Sequence, residues 1–197
     1  MRTSTHKYWI FAIVFAIVLG LSSPQAKAQQ FAVKTNALMW GVLTPNAGVE
    51  IVVGERSSLD ISAFYKPSYS PELGSFFNSR IAGFQPEYRY WFSGRPMTRE
   101  FIGVAAMVAD YDMVIRNHVY DGYAVSLGAI GGYAFSLGQS WRLELSGGLS
   151  LLYFRQKQHY RHDNYDDYFI GQEAPANSWG YKLFPAELGV KFTYIIK

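Results

Sequence analysis

The sequence predicts an all-β chain, an eight-stranded antiparallel transmembrane β-barrel, and three observations predict it. An export signal opens the chain. Eight later segments alternate apolar and polar residues with period two. The spacers between them alternate between short turns and longer loops, the arrangement of a barrel inserted into an outer membrane from the periplasmic side.

Residues 1–28 read as a signal peptide. MRTSTHK is a cationic start, YWIFAIVFAIVLGL is an apolar run short for a helical span, and AKA at 26–28 is a small-residue cleavage site. Residues 29–197 are then the barrel domain, with no low-complexity run or linker to divide them. Arg2, Lys7 and Lys27 leave with the signal, so 15 of the 18 basic residues remain against 15 acidic ones. The sequence pI near 9.0 therefore belongs to the export signal, and nucleic acid is not an expected partner. Cysteine is absent, which excludes both a disulfide framework and a lipoprotein anchor.

The segments follow in order. FAVKTNALMWGV (31–42) leads by TPN to AGVEIVVG (47–54), and by ERSS to LDISAFY (59–65). The spacer KPSYSPELGSFFNS precedes RIAGFQPEYRYWF (80–92), and SGRPMTR turns the chain into EFIGVAAMVA (100–109). After the spacer DYDMVIRNHVYDG come YAVSLGAIGGYAFSL (123–137), the turn GQS, and WRLELSGGLSLLY (141–153). A tyrosine-rich loop to about Ser178 separates this from GYKLFPAELGVKFTYII (180–196). With the N-terminus in the periplasm, the turns ERSS, SGRPMTR and GQS all lie on that side, and so do both ends of the domain.

The two faces argue for oil outside. In 141–153, Leu143, Leu145, Leu149 and Leu151 share one face, opposite Arg142, Glu144, Ser146 and Ser150. In 123–137 the side opposite the apolar stripe is made of tiny residues, which suits a narrow interior better than a watered exterior. Glu50, Asp60, Glu87, Arg89, Arg142, Glu144, Glu187 and Lys191 fall on this inner side as a luminal charge network. Buried there, they must pair, either as a packed salt-bridge plug or as the lining of a solute path. Aromatics mark both ends of the apolar band. Phe31, Tyr90, Phe92, Phe101, Tyr133, Phe135, Trp141 and Tyr194 form one girdle, and Tyr65, Tyr123, Tyr153 and Phe184 the other. The same rings could instead fill a soluble sandwich. Three features resist: EFIGVAAMVA is apolar on both faces, and Pro86 and Pro185 sit inside strands, where bulges would accommodate them.

VKTNALMWGVLTPNAGVE, QPEYRYWF (85–92) and the closing TYIIK resemble a domain-of-unknown-function family of small exported proteins common in Bacteroidetes, over about the whole mature chain. The resemblance implies a small outer-membrane β-barrel of a Gram-negative cell and no established activity. More loosely, size and loop pattern are similar to OmpA/OmpX-type barrels. Glu187, Gly189, Phe192 and Tyr194 resemble the polar-x-Gly-x-x-aromatic-x-aromatic assembly signal, which implies the outer-membrane assembly machinery and outer-membrane lipid as partners. The chain continues past that signal to Lys197.

Catalytic chemistry is hard to place. The histidines after the signal are His118, His159 and His162, none of them on an expected strand. His159 and His162 with Asp163, Asp166 and Asp167 could approach a divalent metal, but a loop fixes no such geometry, so neither a metal nor a cofactor is expected. A lipid-modifying hydrolase would need Ser126, Ser146 or Ser150 beside a rigidly mounted base. The expectation is thus a non-enzymatic protein, structural or surface-binding. His159, Tyr160, His162, Tyr165 and Tyr168 of the outer loop are its candidate contacts to an extracellular ligand or protein. A small pore and a lipocalin-like ligand-binding barrel are the alternatives.

Overall fold

Period-two alternation becomes eight antiparallel strands, each hydrogen-bonded to its neighbour in sequence and the last returning to the first, in a computed structural model that describes residues 30–68, 79–115, 118–160 and 178–196. The order is β1 (Phe31–Asn36), α1 (Ala37–Gly41), β2 (Asn46–Val52), β3 (Ser57–Lys66), β4 (Ser79–Trp91), β5 (Arg99–Ile115), β6 (His118–Ser136), β7 (Trp141–Tyr160) and β8 (Ser178–Ile196). Pairing of β1 with β8, from Phe31↔Ile196 to Asn36↔Lys191, closes the ring. Both ends of the sheet, Phe31 and Ile196, lie at one rim, called the terminal rim below; the opposite rim is distal.

The wall is uneven in height. β1 and β2 have 6 and 7 residues, whereas β6, β7 and β8 have 19, 20 and 19. The segment expected as one strand over 31–42 stops at Asn36. There the Asn36 side chain accepts from Leu38 N at 3.1 Å and caps α1, the usual work of asparagine at a helix start. Conversely, the spacer expected at 110–122 is mostly strand. Its ladder runs from Asp110↔Tyr123 to Ile115↔His118, with Tyr111 and Met113 on the inner face and Asp110 and Asp112 on the outer. Alternation simply continued beyond the apolar belt with charged residues outside. β7 likewise extends to Tyr160, where Tyr153 was the expected end.

The two prolines have different solutions. At Pro185 the register with β7 jumps from Gly148↔Glu187 to Leu149↔Pro185, so Ala186 is the extra residue of a bulge, as expected. At Pro86 there is none: Phe84↔Val108 and Glu87↔Ala105 keep one register, and Pro86 retains its partner Ile61 on β3. The bulge also moves Phe184. Paired with inward Ser150, it lines the lumen and does not join the outer girdle expected from uninterrupted alternation. Phe101 is the second correction, buried inside against Trp91 with ring centroids 4.8 Å apart. Several of the other rings meet in cross-strand or near-neighbour pairs, among them Tyr90 with Phe92 and Tyr133 with Phe135. Trp141 and Tyr194 lie 5.0 Å apart near the terminal rim, and Tyr153 and Tyr181 lie 5.1 Å apart toward the distal one.

Glycine is required where a ring lies over the inner wall. A Cβ on Gly83 would fall within the ring of Phe64, its partner on β3, and one on Gly132 would meet the ring of Phe101. Gly83→Leu must therefore expel Phe64 from its seat. The expected loss is about 1 to 3 kcal/mol, read as a lower urea midpoint. An unchanged midpoint would show that the ring relocates freely.

Candidate functional site in the lumen

Inward residues form three layers. Nearest the terminal rim, Ala32, Trp91, Met97, Phe101, Ile130, Ala134 and Ile195 make a buried apolar cluster across the lumen. This explains why 100–109 is apolar on both faces: Phe101 and Ala105 fill the inside while Ile102 and Val104 stand outside. Trp91 Nε1 donates to Ser58 Oγ at 2.8 Å, and Ser58 in turn donates to Glu50, which ties this layer to the next.

The middle layer is ionic. Arg89, completely buried, reaches Asp60 at 2.9 Å, Glu144 at 3.0 Å and Glu50 at 3.6 Å, and its Nε donates to Glu87 at 2.9 Å. Its guanidinium also lies 4.8 Å from the Phe101 ring centroid. Lys34 contacts Glu50, and it meets Glu144 at 2.8 Å and Asp60 at 3.1 Å. Lys191 reaches Glu187 at 2.9 Å and Glu87 at 3.4 Å, while Gln85 bridges the same two carboxylates at 2.7 Å to Glu87 and 3.3 Å to Glu187. Ser146 donates to Glu187. Five carboxylates thus surround three cations, drawn from β1, β2, β3, β4, β7 and β8.

Seven of the eight charged residues expected inside meet here. Arg142 does not. It lies nearer the terminal rim, where its guanidinium donates to the carbonyls of Gly138 and Trp141, both at 2.8 Å, and of Met97 at 3.3 Å. It holds the β6–β7 turn. Lys34 is the cation that sequence reading missed, although it alternates with Ala32 and Asn36 on the inner face of β1.

Above the ions, toward the distal rim, lies a cavity of about 590 Å³. Phe64, Ile81, Met107, Met113, Leu152 and Phe154 line it, and Lys34, Asp60, Glu187 and Lys191 form its floor. Tyr111 closes one wall by donating to Gln156 Oε1 at 2.9 Å.

Of the expected outer-loop contacts, His162, Tyr165 and Tyr168 lie outside the described residues. His159 and Tyr160 end β7 on opposite faces. Tyr160 turns inward onto His118, with ring centroids 4.3 Å apart. Both described histidines therefore stand on strands, contrary to expectation. Neither is a base for the inner serines, because Ser126 lies eight residues from His118 along β6, about 26 Å at 3.3 Å per residue. On the outer face Asp112 faces Asp121 across the β5–β6 hairpin, and partial burial together with that neighbouring carboxylate pushes its pKa up. Among the described residues no group of three or more His, Asp or Glu is arranged to hold a metal ion.

In β8, Glu187 and Gly189 face the lumen while Phe192 and Tyr194 stand on the outer face, as the alternation of the terminal motif requires. The family model described as protein of unknown function (DUF3575) matches residues 12–196. The chain belongs to that family. Neither a curated protein nor a solved structure matches it significantly.

Proposed function

We propose that the protein is an outer-membrane β-barrel, exported by a cleaved signal peptide, non-enzymatic, closed to solutes, and active through its distal rim as a structural or surface-binding element. The observation that carries this reading is the reversal of polarity across one wall. Leu127, Leu145, Leu149, Leu151, Leu183 and Leu188 are exposed outside, between aromatic pairs, while complete ion pairs are buried inside. Water gives no reason for such an exterior; lipid does. The terminal rim has only the short connections 53–56, 92–98 and 137–140, whereas at the distal rim β5 and β6 join over 116–117 and the other three connections are longer, a balance that supports a periplasmic position for the terminal rim and the looser likeness to OmpA/OmpX-type barrels. His159 and Tyr160 then stand outside the cell, beside the loop proposed to meet a partner.

Two alternatives are disfavoured by particular residues. A pore would have to pass the Trp91–Met97–Phe101 layer and the ion pairs above it. A lipocalin-like soluble barrel would not leave its outer wall to leucine. Planar-bilayer recording of the purified protein tests the closed lumen. The expected result is silence, and a steady unitary conductance would overturn it.

A further inference from the structure

We propose that the distal cavity is a binding slot for one long alkyl chain with an anionic head, admitted sideways from the bilayer through a seam between β8 and the β1–α1 corner. The inference rests on the membrane reading above, and begins with where the ring closure ends.

β1 pairs with β8 only as far as Asn36↔Lys191, because the chain then turns into α1. β8 continues from Val190 back to Ser178, paired with β7 along one edge and with no strand along the other among the described residues. Asn36 caps the first exposed groups of that edge, donating from Nδ2 to Leu188 O at 3.0 Å and accepting from Val190 N at 3.2 Å. Those two outward residues direct their peptide groups toward β1. Outward Pro185 lies in the same orientation beyond the bulge, so its missing N–H falls on the unpaired side, where a proline costs no ladder bond.

The cavity runs along this seam. Its lining includes inward Phe184 and Leu152, but also Thr35, Pro185 and Leu188, whose side chains belong to the outer face, and Met39 of α1. Thr35, Met39, Pro185 and Leu188 all lie beside the stretch where, among the described residues, β8 has no strand along its second edge, so this part of the cavity wall is the unpaired edge itself. The edge is flanked outside by Leu183 and Leu188, 73% and 64% exposed, so it faces the apolar belt.

Shape and chemistry select the ligand. The lining runs from the level of Glu187, opposite Gly148 on β7, to Gln156, eight residues or about 26 Å along the strand. That is long for a cavity of about 590 Å³, a volume within the usual range for small ligands of about 300 to 1,000 Å³. The polar groups on its walls are already engaged: Tyr111 with Gln156, Gln85 with Glu87, and Lys34 and Lys191 with carboxylates. They leave little for a polar ligand to bind, and methionine, leucine and phenylalanine suit a flexible chain. Lys182 differs from the floor lysines. Held 5.0 Å from the Phe154 ring centroid, on the half of β8 that borders the seam, it is placed to meet an anionic head while the tail lies in the slot. A fatty acid and an anionic phospholipid share that chemistry.

The test uses the mature protein in phosphatidylcholine nanodiscs doped with oleic acid or, separately, with phosphatidylglycerol, followed by native mass spectrometry. One retained adduct per chain is expected. Adducts confined to one doping identify the source as free fatty acid or phospholipid. Met107→Trp and Met113→Trp, which fill the slot from two heights, should each lower retention at least tenfold, whereas outward Leu127→Ala should not. Lys182→Ala should lower retention of the anionic lipids relative to phosphatidylcholine. A heat-modifiable gel band selects variants that fold. No adduct on wild type, or equal retention by a folded Trp variant, overturns the slot. If the protein instead stays in aqueous extract without detergent, the membrane reading fails, and oleate binding in solution still tests the slot separately.

Discussion

Arg89→Met is expected to lower the stability of the folded barrel by about 3 to 5 kcal/mol, the cost of leaving buried charges without their partner. The side chain touches four carboxylates, Glu50, Asp60, Glu87 and Glu144, and it is completely buried. With it, three cations face five carboxylates; without it, Lys34 and Lys191 face the same five. Lys34 already serves Glu50, Asp60 and Glu144, so it cannot move to Glu87 without abandoning them. Lys34→Met should cost less, because Arg89 still reaches all three of its carboxylates. The measurement is urea unfolding in lipid vesicles, followed by gel mobility. Adding Glu144→Gln to Arg89→Met should recover part of the loss, since the pair acts as a unit. A wild-type midpoint for Arg89→Met would mean that water enters the layer and hydrates the carboxylates, and the closed lumen would fall with it.

How much of this was legible depended on whether alternation was unambiguous and unbroken. Over 141–153, leucines on one side and Arg, Glu and Ser on the other fixed the faces correctly. The same parity placed Glu50, Asp60, Glu87, Arg89, Glu144, Glu187 and Lys191 in one layer although they come from five strands. It failed where one residue changed the count. Ala186 is an inserted residue, so Phe184 lies on the face opposite to that expected. At 100–109 both faces are apolar, and no pattern says that Phe101 points in. Asn36 reads equally as a strand residue or a cap, and choosing strand hid α1. The cavity had no local signal at all. Its walls come from strands far apart in sequence, and its seam exists because β1 is short while β8 is long, a difference that only pairing reveals.

Leu149→Arg should impair assembly more than Leu152→Arg, three residues away on the same strand. Leu149 is 59% exposed on the outer face, well inside the span between Trp141 and Tyr153, so in the proposed membrane its guanidinium would have to sit in hydrocarbon. An arginine there costs on the order of 2 to 4 kcal/mol near the midplane. Leu152 points the other way, into the distal cavity, where there is space for a longer side chain; its partner on β8 is Lys182, so an arginine there meets one like charge but stays out of the hydrocarbon. Ser150, though also inward, is a poorer control: a Cβ on its partner Gly128 would collide with the Ser150 Cα and Cβ, so its surroundings admit no large residue. Size alone would damage that variant. Folding yield into vesicles, read from the heat-modifiable band at matched protein-to-lipid ratio, separates the two leucine positions. Lipid outside predicts a large loss for Leu149→Arg and a small one for Leu152→Arg. A soluble barrel predicts little loss for Leu149→Arg, no more than for Leu152→Arg, since an arginine on a watered surface costs little. Equal yields would remove the basis for assigning either face to lipid.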